Sequence, residues 1–169
     1  VRHFSTHFAQ LCASVWRKMG GEVYLFDGPR STPQLSFTVR NLATTAGIVI
    51  TASHNPPHDN GYKVYFGDGA QVISPHAEGI VAEVDKIEWK DIRDFLKIDL
   101  DGVKTVPQAS EDAYVKSIEN CVIDKEVMAA NKPKLVYTAV HGTGAALCPS
   151  VMRHFGLDPI LVDAQMVMD

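Results

Sequence analysis

No apolar run in this 169-residue chain approaches the roughly 20 residues that cross a bilayer. No signal-peptide h-region opens it either. Cysteine is scarce: Cys12, Cys121 and Cys148 lie far apart without metal-ligand spacing. Two of them fall on apolar helix faces, which reads as reduced core thiols in a cytoplasmic protein. Positive charge is not in excess, with 16 Lys and Arg against 20 Asp and Glu, a net of -4. That balance excludes a general attraction to nucleic acid or to an anionic membrane. Repeats of fixed period and low-complexity tracts are absent. So is a Gly-x-Ser-x-Gly elbow, and no acid pairs obviously with His54, which ranks a serine hydrolase last. The chain opens on Val1-Arg2-His3-Phe4 without a methionine and stops after Met166-Val167-Met168-Asp169. We read it as a portion of a longer protein, missing the remainder of its own chain.

What is present is ordinary for a soluble globular chain, with 46% hydrophobic and 21% charged residues. The length allows one domain, or one domain and part of another. One stretch organises the rest, Gly47-Ile-Val-Ile-Thr-Ala-Ser-His-Asn-Pro-Pro57. Gly47 to Ile50 reads as a buried strand by its β-branched content. Two prolines and an asparagine then forbid regular structure, so Ser53 sits on a stiff loop at a strand's C-terminal end. Asn60-Gly61 is a tight-turn signal leading into Tyr62-Lys63-Val64-Tyr65-Phe66, a hairpin that swings Lys63 back toward the serine. A hydroxyl, an imidazole and an ammonium converging on one loop suit a phosphate.

Around this stretch the pattern alternates helix and strand with short links. Ser5 or Thr6 is expected to cap a first helix carrying Phe8, Leu11, Cys12, Val15, Trp16 and Met19 at helical spacing, closed by Gly20-Gly21. Glu22 to Phe26 reads as a strand, and Thr32-Pro33 as a cap and first-turn proline. Gly67-Asp68-Gly69 is expected to turn the strand at Tyr62 against Ala70 to Ile73. Ser74-Pro75 opens a helix that should bury Ile80, Val84 and Ile87, and the mixed charges from Glu83 to Asp101 read as a solvated face. Pro107 to Ser110 looks like a linker, with Ser110 capping the next helix. A second α/β unit follows: strand from Leu135, loop His141-Gly142-Thr143-Gly144, helix to about Phe155, strand from Asp158 to Asp163. The expected fold is therefore α/β, a mixed, mainly parallel sheet flanked by helices, followed by the start of a second similar domain.

Thr51-Ala52-Ser53-His54-Asn55-Pro56, with Asn60-Gly61-Tyr62-Lys63 behind it, resembles the phosphoserine loop of the α-D-phosphohexomutases, the phosphoglucomutase and phosphomannomutase family. The run from Asp59 to Ile80 resembles its phosphoglucomutase/phosphopentomutase branch. The resemblance implies residues 1–108 as the phosphoserine-loop domain without its N-terminal strand, and 109–169 as a linking helix and the first part of domain two. It implies a phosphoserine at Ser53 that passes its phosphoryl group to a sugar monophosphate. A bisphosphate intermediate then reorients and returns its other phosphate. Ser53 would also offer that phosphoryl oxygen to Mg²⁺, and a glucose 1,6-bisphosphate-type compound would be the activator. Lys63 matches a lysine used in proton transfer or in stabilising the transferring group. His54 matches a residue that contacts the phosphoryl group or the sugar, or else braces the loop. Arg2 and Asn55 fall at substrate- or phosphate-binding positions, although Asn55 also suits side-chain-to-backbone bonds within the loop. Tyr65 shares the Lys63 face of its strand, as packing.

The sequence departs from the family pattern in three places. It has no Asp-Gly-Asp-x-Asp-Arg metal loop, no Glu-Glu-Ser-Gly sugar loop and no C-terminal phosphate-clamping loop. Tight metal binding and mutase activity by these residues alone are therefore not expected. Gly142-Thr143-Gly144 supports a different reading, a nucleotide- or sugar-phosphate-binding module, because it follows a strand and opens a helix with Asp163 about twenty residues on. Leu147 stands where that fingerprint needs its third glycine.

Overall fold

The computed structural model describes residues 2–168. Its first helix, α1 (Ser5–Lys18), starts differently from the expected cap. Phe4 is the N-cap, with φ 60° and no side-chain cap bond. Ser5 turns backward instead, its Oγ accepting from the Arg2 N–H at 3.3 Å. The inward side of α1 is also rotated: Ala13 and Ser14 are buried, while Phe8, Trp16 and Met19 are exposed. Small residues let the helix approach its neighbours closely, and Ser14 Oγ accepts from the Asp99 N–H at 2.9 Å. Gly20, at φ 89°, ends the helix in the left-handed region where only glycine is unstrained.

Strand β1 (Tyr24–Leu25) leads into α2 (Thr32–Asn41), which Ser31 caps by accepting from the Gln34 N–H at 3.4 Å. The cap lies one residue before the expected Thr32. Strands β2 (Ala46–Ile50) and β3 (Tyr62–Phe66) pair antiparallel, with Ala46 opposite Phe66 and Ile50 opposite Tyr62. Asn60-Gly61 is thus no two-residue hairpin turn but the end of the loop 51–61. Ala70 to Ile73 turns back along the free edge of β3 as expected, but pairs only briefly. One antiparallel bridge joins Tyr65 and Gln71, flanked by bonds from Phe66 N–H to the Ala70 carbonyl and from Val72 N–H to the Val64 carbonyl. Helix α2 lies on β2 across Gly47, where a Cβ would come within 2.4 Å of Val39 Cγ2. Glycine is what lets helix and strand touch there.

Helix α3 (His76–Val84) forms where the periodicity predicts, but buries no residue. Ile80, Val84 and Ile87 are exposed, so the expected buried face is corrected: no described element covers it. Helix α4 (Trp89–Ile92) and a 3-10 turn precede β4 (Lys104–Thr105), which pairs parallel with β1. Helix α5 (Gln108–Ile118) begins inside the expected linker. Pro107 is its N-cap, and Ser110 is not a cap but a buried first-turn residue. The Ser110 N–H donates to the Pro107 carbonyl, as a first-turn amide does. After α6 (Lys125–Ala130), β5 (Val136–Tyr137), α7 (Gly144–His154) and β6 (Ile160–Leu161) form a second unit with β5 and β6 parallel. Of the thiols, Cys12 and Cys148 are half-buried, whereas Cys121 is exposed and outside any core. The chain is an α/β fold with mixed, mainly parallel sheets flanked by helices. No described helix is long and apolar enough to cross a membrane.

One polar network ties the segment just ahead of α2 to α5, joined by Gln34 of α2, whose Nε2 donates to Glu111 Oε1 at 3.4 Å. Arg30 Nε meets Glu111 Oε1 at 2.7 Å, and Arg30 Nη2 meets Asp27 Oδ1 at 2.7 Å. The Arg30 and Glu111 side chains are only 14% and 17% exposed, so little water remains to replace either partner. Burial pulls the Arg30 guanidinium down, but Glu111 and Asp27 more than offset it and hold its pKa above the ordinary value. Arg30→Met should leave Glu111 unpaired and lower stability by about 2 kcal/mol, below the roughly 3–5 kcal/mol of a fully buried pair. The midpoint of urea unfolding measures this. Glu111→Gln, which still accepts a hydrogen bond, should cost less.

Candidate active site

The loop 51–61 leaves β2 and returns into β3, and its two ends are fixed by the ladder. The Thr51 N–H donates to the Gly61 carbonyl at 2.9 Å, one step beyond the Ile50–Tyr62 pair. A Cβ on Gly61 would lie 2.6 Å from the Thr51 carbonyl oxygen, so the loop can close this tightly only over glycine. Between these ends the loop makes few bonds of its own. Asn55 N–H donates to the Ala52 carbonyl at 3.1 Å, and Asp59 N–H to the Pro56 carbonyl at 3.0 Å. Pro56 and Pro57 have no N–H to contribute.

Ser53 stands at the exposed apex with φ 52°, a left-handed conformation that few non-glycine residues adopt. Its N–H donates to Thr51 Oγ1 at 3.2 Å, so the hydroxyl takes no part in that turn. Lys63, half-buried in β3, projects its Nζ to 3.4 Å from Ser53 Oγ. Tyr65, two residues on and on the same face, is buried and anchors that strand. His54 and Asn55 are exposed. The Asn55 side chain forms no hydrogen bond among the described residues, so the expected side-chain-to-backbone tie is not made. Instead the Asn55 main-chain carbonyl accepts from Arg2 Nη2.

Arg2 is the residue whose placement the sequence conceals. It lies more than fifty positions upstream, and its guanidinium sits beneath the loop. Nη1 donates to the Ser53 carbonyl at 2.9 Å, Nε to that of Asp59, and Nη2 to those of Asn55 and Pro56. The neighbouring His3 continues the stitch, its N–H donating to the Pro57 carbonyl at 3.0 Å and its carbonyl accepting from Asn60 Nδ2 at 2.9 Å. No local pattern signals these bonds; the family resemblance singled out Arg2, but for a substrate or phosphate rather than for the loop's own carbonyls.

A metal is a different matter. No group of three or more His, Cys, Asp or Glu side chains is placed to hold an ion among the described residues. Ser53 supplies one oxygen, whereas Mg²⁺ takes a near-octahedral shell. The described residues alone therefore supply at most one ligand of a magnesium site.

The second glycine loop has a packing explanation. A Cβ on Gly144 would lie 2.5 Å from the Tyr137 hydroxyl, so Gly144 makes room for a phenol rather than for a pyrophosphate. Burial and the hydrogen bond with Cys148 push that phenol up to about 12, so it stays protonated. Asp163 begins a 3-10 turn and is exposed. A cavity of about 250 Å³ lies beside this loop, lined by Gln34, Tyr114, Thr143, Leu147, Cys148 and Met152 among others. None of its walls comes from the Ser53 loop.

Three comparisons bear on this geometry. The family model for the alpha/beta/alpha domain I of phosphoglucomutase/phosphomannomutase matches residues 1–91. The chain is 40% identical over 158 residues to a human phosphopentomutase, covering 92% of this chain and 26% of that protein. It is 38% identical over 177 residues to a phosphoglucomutase of Staphylococcus aureus strain N315, covering 100% of this chain and 31% of that protein. The crystal structure of a putative phosphomannomutase from Thermus thermophilus superposes with a TM-score of 0.77 at 28% identity, over 95% of this chain and 34% of that one. The chain thus spans between a quarter and a third of the length of the curated relatives it matches. With more than half of its residues matched to domain I and the serine loop inside the matched region, the chain belongs to the phosphoglucomutase/phosphomannomutase family.

Proposed function

We propose that this chain carries the phosphoryl-donor part of a phosphohexomutase, with Ser53 as the group that holds and passes the phosphate. The observation that carries this reading is the Lys63 ammonium 3.4 Å from an otherwise free Ser53 hydroxyl, on a loop tied down chiefly through its backbone. In the first half-reaction a sugar hydroxyl attacks phosphoserine. A new P–O bond forms to the sugar oxygen, the bond from phosphorus to Ser53 Oγ breaks, and the sugar hydroxyl's proton ends on the released Ser53 Oγ. Charge grows on Oγ as that bond breaks, and Lys63 is positioned to neutralise it or to supply a proton. The reverse step regenerates phosphoserine from the other phosphate of the bisphosphate. Positioning and charge neutralisation are what phosphoryl transfer chiefly needs.

The substrate class is an aldose phosphate whose phosphate moves between the anomeric and the terminal hydroxyl. A sugar 1,6-bisphosphate-type activator would reload an unphosphorylated Ser53. Mg²⁺ would supply charge neutralisation at the phosphoryl group, taking one ligand from Ser53 and the remainder from outside the described residues. Residues 1–108 would form the phosphoserine-loop domain and 109–169 the link and first part of the next. His54 and Asn55, exposed beside Ser53, would meet the incoming sugar phosphate.

Phosphopeptide mass spectrometry on the full-length polypeptide carrying this sequence, purified without phosphatase, tests the carrier. A phosphate on Ser53 that disappears with a sugar monophosphate supports it. An unmodified Ser53 that also resists labelling by a hexose bisphosphate refutes it. In the same polypeptide, Lys63→Met should lower kcat by about 10²- to 10³-fold, the range for loss of one acid–base or charge-stabilising group. Stability should barely change, since Lys63 makes no buried ion pair.

A further inference from the structure

We propose that Arg2 is a positioning residue: it holds the main chain of the serine loop where Ser53 Oγ can exchange a phosphoryl group. The proposal rests on the carrier role given above to Ser53. Four N–H donors of one guanidinium are committed to four carbonyl oxygens, those of Ser53, Asn55, Pro56 and Asp59. An arginine has five such donors and no acceptor, so this arrangement leaves almost nothing for a substrate phosphate. The loop needs an outside partner. Its own backbone bonds are few, its prolines donate none, and Ser53 is held at φ 52°. A strained conformation persists only where its surroundings over-determine it. Arg2 supplies that constraint from beneath, with the flanking His3 fastening Pro57 and Asn60.

The arrangement also calls for arginine in particular. The four oxygens are spread along the loop from Ser53 to Asp59, and a planar fork reaches them in several directions at once. A lysine ammonium is a point charge on a flexible stem and cannot bridge them. Arg2 therefore fixes the loop without touching the reacting atoms, since its bonds go to main-chain oxygens and not to Ser53 Oγ.

The test uses the full-length polypeptide with Arg2→Met and Arg2→Lys. Hydrogen exchange of the peptide covering residues 51–61 is measured beside steady-state kinetics with an aldose 1-phosphate and its bisphosphate activator. Exchange in the loop should accelerate about tenfold or more in both variants. The kcat should fall about 100-fold, the effect of a misplacement near 1 Å, with KM changed less than about twofold. Lysine should not restore it. A raised KM with kcat kept, restored by lysine, would mean that Arg2 binds the substrate phosphate and would overturn the proposal. Unchanged loop exchange would overturn it as well. If the unsubstituted protein neither turns over nor carries phosphoserine, the carrier reading fails, and the exchange comparison still decides the clamp separately. Should Arg2→Met not fold, Arg2→Gln, with one donor on a flexible stem, takes its place.

Discussion

Ser53→Gly is expected to keep the fold and to abolish phosphoryl transfer in the full-length polypeptide. The backbone at this position is left-handed, φ 52°, where an L side chain costs roughly 1–2 kcal/mol and glycine costs none. Glycine's greater freedom in the unfolded chain works in the opposite direction by about 0.5–1 kcal/mol. The melting temperature should therefore stay within a few degrees of the unsubstituted protein. With Ser53 as the proposed phosphoryl carrier, the substitution removes the one hydroxyl that would hold the phosphate. The nearest other hydroxyl, Thr51 Oγ1, already accepts from the Ser53 N–H and ends the strand ladder rather than reaching the apex. Removing a nucleophile of this kind costs about 10⁴-fold or more. Turnover of an aldose 1-phosphate and transfer of label from a bisphosphate should both be lost. Retained label transfer with Ser53→Gly would remove Ser53 from the reaction altogether.

Gly61→Ala should damage fold and chemistry together. The new Cβ would meet the Thr51 carbonyl oxygen at 2.6 Å, and a backbone atom cannot swing aside as a side-chain tip can. Either the Thr51–Gly61 hydrogen bond opens or the loop root shifts. Overpacking of this sort costs about 1–3 kcal/mol. Because Lys63 lies two residues beyond and Ser53 two residues beyond Thr51, the shift also separates Nζ from Oγ. A further loss of about 10²-fold in kcat follows from misplacement near 1 Å. Gly79→Ala is the matched control: it sits inside α3 with nothing within 4 Å of a new Cβ. It should stabilise by about 0.5–1 kcal/mol and leave kcat alone. Equal behaviour of the two variants in urea unfolding and in turnover would contradict the steric account.

Much of this was legible because it is local. The β-branched run after Gly47 and the alternating Tyr62 to Phe66 each announce a strand, and both form. The serine loop is written in its prolines. Helix caps are displaced by a residue or more, at Phe4, Ser31 and Pro107: Ser5 bonds backward to the Arg2 N–H, and Ser110 sits inside the first turn with its hydroxyl unbonded among the described residues. Periodicity predicted α3 but not its surroundings: spacing shows which residues share a face, not whether an element covers it. The Arg2 bonds were the least legible feature. They join positions more than fifty apart through main-chain oxygens, which carry no residue-specific signal.

Those main-chain oxygens also bear on how such a loop can diverge. Every amino acid, proline included, offers the same carbonyl acceptor. Exchanges at His54, Asn55 or Pro56 can therefore alter which groups face an incoming sugar without removing any oxygen that Arg2 holds. The side chains of residues 54–56 play no part in that clamp, which is written in chemistry common to all residues. Point substitution at these three positions would therefore leave the Ser53 main chain where Arg2 holds it.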